Sequence, residues 1–277
     1  MRAFRIAWRA AATVAATFGS IAIPLAGRIV LFGRPRAIAR LGAWSTRLWG
    51  RAMCTILGVE REVDGTVPDS GVFLVASNHL SYLDILVLGS LYPSLFVAKD
   101  EIATWPVFGW IARAAGTLFI DREDARDVVR AGREMSARLA LGIPLTIFPE
   151  GQASSGAEVL PFLPSLLEPA ARAGIPCWGA SLSYETPGSA LSPATTICWY
   201  DRSSFPAHFA RMSGLPRIVA RIRFAPAPVV SKDRKELARS LREHVSATFE
   251  PIPRAVSPGT APRSRDREGP REAAPRP

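Results

Sequence analysis

The 277-residue chain has only three cysteines, Cys54, Cys177 and Cys198, far apart and odd in number. No C-x-x-C pair occurs, which excludes a disulfide framework, a cysteine zinc site and a thioredoxin-type redox motif. Histidine is as scarce, with His79, His208 and His244 alone, so a histidine-rich metal centre is excluded too. Acidic residues are missing altogether from residues 1–59, which carry nine arginines. Also absent is the G-x-S-x-G elbow that exposes a nucleophilic serine in hydrolases. Apolar material is plentiful: 48% of residues are hydrophobic, including 13 Phe, 7 Trp and 4 Tyr. That composition excludes a wholly disordered or collagen-like chain and suffices for one large core.

The net charge of +10 is unevenly placed. Residues 1–59 contribute +9, residues 60–250 contribute −2, and residues 251–277 contribute +3. A nucleic-acid binder carries its basic excess on the folded body. Here the excess sits on the most apolar part of the chain, which points to an anionic lipid surface and to no nucleic acid. From Ala10 to Gly27 no residue is charged, and arginines flank the run on both sides. Its length is marginal for a bilayer span. No small-x-small cleavage site leads into a polar mature sequence, and apolar residues resume at Ile29–Phe32, so the segment reads as a retained anchor rather than a signal peptide.

Residues 36–57, placed on a helical wheel, gather Arg36, Arg40, Arg47 and Arg51 within about 60°. Leu48, Leu41, Ala52, Ile38, Ile56 and Trp49 fall between about 120° and 220°, with Trp44 between the two stripes. Such a helix suits a membrane interface, apolar side in the acyl region and cations level with phosphates. A helix packed on its own domain with a solvated basic face has the same pattern.

Three regions follow: a membrane-anchoring helical segment over 1–59, a catalytic domain over 60–250, and a disordered Pro/Arg-rich tail over 251–277, where seven prolines stand among scattered charges. Within the domain, apolar runs at Val72–Ala76, Leu95–Ala98, Leu118–Ile120, Leu145–Phe148, Cys177–Ser183, Thr195–Trp199 and Ile218–Phe224 are the expected strands. Helical patterns lie near 82–90, 105–115, 124–141, 164–173, 205–212 and 232–249. The expectation is an α/β fold, a mostly parallel or mixed sheet of about seven strands with helices on both faces.

Chemistry-bearing residues collect where these strands end, the usual place for ligands in an α/β sheet. Ser77-Asn78-His79-Leu80-Ser81-Tyr82-Leu83-Asp84 follows the first expected strand. His79 is a candidate base, and Asp84, one helical turn on, is placed to accept from its Nδ1. Alone, an H-x4-D pair also suits a structural histidine beside a helix-start aspartate. Three further segments strengthen the set: Gly116-Thr117-Leu118-Phe119-Ile120-Asp121-Arg122, Phe148-Pro149-Glu150-Gly151, and Ile175-Pro176-Cys177.

This ordered set resembles the membrane-associated glycerophospholipid acyltransferases, typified by 1-acylglycerol-3-phosphate O-acyltransferases, over about residues 60–225. The resemblance implies that His79 is the general base and Asp84 its orienting partner. It implies that Asn78, Lys99, Gly116, Phe119, Arg122, Glu150 and Gly151 bind substrate. No resident cofactor or metal is implied; acyl-CoA or an acyl-carrier protein serves as acyl-donor substrate, and a membrane lysolipid is the acceptor. Two departures stand out. The family pattern usually continues F-P-E-G-T, where this chain has Gln152, and a cation usually follows the downstream Phe, where Leu163 follows Phe162.

The implied chemistry is simple. An acyl thioester is already activated, so a positioned hydroxyl needs only deprotonation and a stabilised oxyanion. His79–Asp84 would act like two-thirds of a Ser–His–Asp triad, the lipid hydroxyl replacing serine. A metal site of His79, Asp84 and Glu150 matches catalytic zinc poorly. Ser81 reads as a helix-start residue, His208 as structural, Cys177 and Cys198 as buried hydrophobes, and Phe108, Trp105 and Trp110 as core or the wall of an acyl groove. The expected function is a lysophospholipid O-acyltransferase on the cytoplasmic face of a bacterial inner membrane, most simply producing phosphatidic acid. An acyltransferase for lyso-ornithine lipid, or a silent lipid-binding protein on the same fold, are the alternatives.

Overall fold

A computed structural model describes residues 1–105, 108–121, 123–201 and 203–253. In chain order the elements are α1 (Arg2–Val30), α2 (Pro35–Leu57), β1 (Val59–Asp64), β2 (Leu74–Ser77), α3 (Leu83–Leu91) and β3 (Leu95–Lys99). Then come α4 (Glu101–Thr104), α5 (Phe108–Ala115), β4 (Leu118–Ile120), α6 (Ala125–Ala140), β5 (Leu145–Ile147) and α7 (Pro164–Ala173). The last are β6 (Cys177–Glu185), α8 (Pro193–Thr196), α9 (Phe205–Ser213), β7 (Ile218–Phe224) and α10 (Arg234–Thr248).

The seven strands form one sheet in the order β1-β7-β6-β2-β5-β3-β4. All neighbouring pairs are parallel except β6–β7. Strands β2 and β5 are buried along their whole length, as expected of short apolar strands covered on both faces. Leu83, Val87 and Leu88 of α3 belong to the core on one face. Met135 and Leu139 of α6, Leu167 of α7 and Leu241 of α10 belong to the core on the other. The expected α/β class with a mixed sheet of seven strands is what the chain adopts.

Two strand expectations fail, and they compensate in number. Thr195–Trp199 is no strand: Ser192 accepts the Ala194 N–H at 3.2 Å and Pro193 opens the short helix α8. That serine–proline start outweighs the β-branched run that follows it. The missing strand is β1, whose VEREVD sequence is exposed after its first residue and carries no apolar signal. It is an edge strand that pairs with β7 and answers charge with charge, Arg217 donating to Glu60 at 2.6 Å and Arg221 to Glu62 at 3.0 Å. The helix expected over 105–115 is instead α4 and α5 on either side of Trp105. Trp110 is not in the core but 74% exposed, and the side chain of Phe108 lies outside the described residues, as does the tail from 254 onward.

The first 57 residues pack on the body. Helix α2 turns a third face inward, neither the arginine stripe nor the Leu48–Trp49 stripe: Ala39, Gly42, Ala43, Thr46, Gly50, Met53, Cys54 and Leu57 are buried. The approach to α3 is so close that a methyl group at Gly50 would lie 2.7 Å from the Leu86 carbonyl oxygen. Ile38, Leu41, Trp49, Ala52 and Ile56 are half-buried, and Trp49 Nε1–H donates to Thr17 of α1 at 3.0 Å. Helix α1 is held near both ends. Arg9 is buried and donates to the carbonyls of Ser213 and Leu215 at 3.0 and 2.8 Å, closing off the end of α9. Arg28 donates to the Arg113 carbonyl at 2.8 Å. Phe4, Phe18, Ile29, Val30 and Phe32 remain exposed, and so do Trp44 and Leu48 of α2. Helix α1 is long and apolar enough to cross a membrane by length and composition.

Candidate active site

His79 follows β2 at its carboxyl end, in the middle of the sheet. The chain is fixed there before the imidazole is reached. Asn78 is buried, its amide bridging β2 to β6: its side-chain N–H donates to the Leu182 carbonyl at 2.9 Å, and the Leu182 N–H donates back to Oδ1 at 2.7 Å. The His79 carbonyl accepts from the Ser154 N–H at 2.9 Å. The Leu80 carbonyl accepts from Trp199 N–H at 2.8 Å.

The imidazole Nδ1 lies 2.8 Å from Asp84 Oδ2. The ring stacks on Phe148, centroids 4.2 Å apart and planes 18° apart. Its side chain is 21% exposed, whereas Asp84 is fully buried. Asp84 Oδ2 also accepts from the N–H groups of Leu80 and Ser81, at 2.6 and 2.9 Å. Oδ1 accepts from the Tyr184 hydroxyl at 2.7 Å. Four donors around one carboxylate compensate the cost of burying its charge. With Asp84 accepting at Nδ1, the proton of the neutral imidazole sits on that nitrogen, and the Nε2 lone pair points away from Asp84.

Glu150 arrives from the end of β5, adjacent to β2 in the sheet. Its carboxyl is 6% exposed and turned inward. Oε2 accepts from the His79 N–H at 3.3 Å and Oε1 from the Leu160 N–H at 3.0 Å. Burial pushes its pKa up to about 8, against the pull of those two N–H groups toward the ionised form. Arg242 of α10 donates to the carbonyls of Leu160 and Val159, at 3.2 and 2.9 Å, holding the far side of this arrangement. Gly151 takes a left-handed φ of +80°, which a side chain would strain, and so lets the loop reverse just after the carboxylate.

The remaining expected site residues are spread along the sheet. Lys99 ends β3 on the same edge of the sheet as His79, its ammonium 2.6 Å from Glu101. Phe119 lies within β4, with Arg113 5.8 Å above its ring. Gly116, at φ +87°, precedes the amino end of β4 and so lies at the opposite end of the parallel strands from His79. Arg122 lies outside the described residues. The structure thus brings together Asn78, His79, Asp84, Glu150 and Gly151, but not Gly116. His208 is buried with its Nδ1 3.0 Å from the Tyr82 hydroxyl, among Tyr82, Trp199 and Phe205. Burial lowers its pKa to about 4 and keeps it neutral, in accord with a structural role.

Tyr184, Ser154 and Arg242 were not singled out by sequence. Tyr184 looks like any inward residue of an alternating strand, and nothing local marks its hydroxyl as a partner for a residue 100 positions away.

The sequence model of the Acyltransferase family matches residues 60–183. A 1-acyl-sn-glycerol-3-phosphate acyltransferase of Neisseria meningitidis is 34% identical over 204 residues, covering 72% of this chain and 78% of the relative. A lyso-ornithine lipid O-acyltransferase of Pseudomonas aeruginosa is 35% identical over 201 residues, covering 72% and 76%. In fold, the chain is similar to the crystal structure of a 1-acyl-sn-glycerophosphate acyltransferase from Thermotoga maritima. That match has a TM-score of 0.60 and 21% identity, and covers 89% of this chain and 95% of the other.

Proposed function

The chain belongs to the acyltransferase family, and on that premise we propose that it moves a fatty acyl group from acyl-CoA or an acyl-carrier protein to the free hydroxyl of 1-acylglycerol-3-phosphate. The observation that carries the reading is the His79–Asp84 contact of 2.8 Å, with the ring held flat on Phe148 and partly open to solvent. His79 Nε2 takes the proton from the acceptor hydroxyl as its oxygen attacks the thioester carbonyl. The tetrahedral intermediate collapses with cleavage of the C–S bond, and the imidazolium returns the proton to the thiolate. The new ester and the free thiol leave, with no covalent enzyme intermediate. Asp84 holds the imidazole in the required tautomer and stabilises the transient imidazolium. Glu150 holds the base through its backbone N–H, and Arg122 and Lys99 supply positive charge toward the acceptor phosphate.

The same proposal places the enzyme on the cytoplasmic face of a bacterial inner membrane. Helix α1 is tied to the body through Arg9 and Arg28 near its two ends, so it lies along the domain, with its Phe4, Phe18 and Ile29, and Phe32 just after it, facing lipid. Arg36, Arg40 and Arg51 are exposed on α2 and supply a preference for anionic headgroups.

A second acceptor has one specific observation in its favour. The Leu163 N–H donates to the Pro149 carbonyl at 2.8 Å, so this residue stands beside the Glu150 loop and is 39% exposed there. An apolar side chain at that place, where the family usually carries a cation, suits a head group other than a phosphomonoester, such as that of lyso-ornithine lipid. The test is lipid mass spectrometry of products from the purified protein, given lysophosphatidate and lyso-ornithine lipid together with an acyl thioester. Phosphatidate as the main product supports the first acceptor, acylated ornithine lipid the second. No acylated product with either donor would overturn both.

A further inference from the structure

We propose that Tyr184 is a positioning residue for the base, its phenol setting how tightly the His79–Asp84 pair holds its proton; this rests on the reading of His79 as general base. Asp84 divides its two oxygens unequally. Oδ2 takes three donors, the imidazole and the N–H groups of Leu80 and Ser81. Oδ1 takes the Tyr184 hydroxyl, at 2.7 Å. The donors on Oδ2 belong to the loop that carries His79 itself, whereas Tyr184 comes from β6, a different strand. It is therefore the contact that ties the carboxylate to the sheet rather than to its own loop.

The strand is locked in the right register for this. Asn78 of the β2 end clamps both backbone groups of Leu182 on β6. Two residues further along β6, on the same face, stands Tyr184. Tyr184 is 3% exposed and pairs across the antiparallel ladder with Ala220, so the phenol has little freedom to swing away. Burial and the charge of Asp84 both raise the phenol's pKa, so it remains a donor throughout the working range.

The consequence for catalysis has a definite sign. A donor on Oδ1 draws off negative charge that would otherwise stabilise the imidazolium. Without the phenol, the buried carboxylate is less compensated, the protonated pair is favoured, and the base becomes free only at higher pH. Other titratable groups face this pair. Cys54 of α2 and Cys198 after α8 lie near Tyr184 and Asp84, both raised by burial, Cys198 to about 12, and so neutral. Glu150 faces it from the end of β5, with Arg242 of α10 behind it. Both are shared by parent and variant, so the difference between the two isolates Tyr184.

The experiment measures acyl transfer by the full-length protein in lysolipid-containing vesicles, as kcat/KM and KM against pH. In Tyr184→Phe the acidic limb should move to higher pH by about 0.5–1 unit, lowering the rate on that limb about three- to tenfold while both KM values hold. Replacing Tyr184 by 3-fluorotyrosine, which keeps the ring and strengthens the donor, should move the limb the other way. A uniform loss at every pH, with the limb unmoved in both variants, would leave Tyr184 a packing residue and overturn the proposal. If Tyr184→Phe does not fold, the fluorotyrosine protein decides alone. His79→Ala in the same assay separates the two readings. Loss of activity there with unmoved limbs removes only the role of Tyr184, whereas retained activity removes His79 as the base.

Discussion

The loop after β2 and the helices that begin the chain treat their side chains in opposite ways. Around the base the key polar groups are engaged by the protein: Asn78 by β6, Asp84 by four donors, and Glu150, which arrives from β5, by two backbone N–H groups. On α1 and α2, by contrast, large apolar residues such as Phe4, Phe18, Ile29, Trp44 and Leu48 face outward, while small ones such as Gly27, Gly42, Ala43 and Gly50 are buried. One region is built to hold a few atoms still to a fraction of an ångström. The other, on the function proposed above, meets a surface that has no fixed shape. A lipid-modifying enzyme needs both, because its acceptor hydroxyl must be brought from a fluid phase to a rigid base.

The sharpest way to break the contrast is at the base. His79→Ala should lower turnover by about two to four orders of magnitude while thermal unfolding and vesicle flotation stay near the parent. Asp84→Asn should be similarly severe in a steady-state assay. Retained turnover within a few-fold would mean that the saturated loop is not where the chemistry occurs.

The next largest effect tests the other region. Leu48→Asp with Trp44→Asp removes apolar surface from the exposed side of α2 at about 1.5–3 kcal/mol per large side chain. Flotation with anionic vesicles should fall at least tenfold, with activity on detergent-dispersed lysolipid largely kept. Unchanged flotation would assign membrane contact to another surface.

Gly50→Ala probes the join between the two regions. The added methyl meets the Leu86 carbonyl oxygen at 2.7 Å, so α2 must lift from α3. Overpacking of this kind costs about 1–3 kcal/mol, visible as a lowered unfolding temperature. Equal stability would show that α2 yields freely and is not part of the body.

The smallest effect concerns Glu150 and pH. Its folded pKa of about 8 lies above the ordinary 4.5, so the folded protein holds the extra proton between those values. Its contribution to stability is therefore fully present at and below pH 4.5 and is lost as pH rises from there through about 8. The difference in unfolding temperature between the parent and Glu150→Gln should shift steadily against the parent across that window. A difference independent of pH would place the titration elsewhere.

Much of this is legible in the sequence, and the exceptions share a cause. Pairings and strands that show in their own spacing, such as the His79–Asp84 contact or the apolar runs of β3 and β7, can be read directly. The packed face of α2 cannot, because Gly42, Ala43 and Gly50 carry no hydrophobic signal; closeness of approach, not side-chain size, makes them interior. Strand β1 is not legible in the sequence because its pairing with β7 works through backbone and charge rather than apolar alternation. Glu150 reads in sequence as a ligand for substrate, and only the fold shows both oxygens engaged by the chain itself. Tyr184 depends on a contact across 100 residues, which no local pattern announces.

The place of β1 also bears on how the protein is made. Residues Val59 to Asp64 leave the ribosome directly after α1 and α2, yet their partners are Ile218 to Arg223. At about 5–20 residues per second, the edge strand waits roughly 8–30 s for its neighbour. During that interval the two apolar helices have already emerged and can settle on lipid. Contacts this distant in sequence are slow to form in any case. The order of synthesis thus leaves α1 and α2 formed ahead of the body, with the β1–β7 pairing waiting for one of the last elements of the chain.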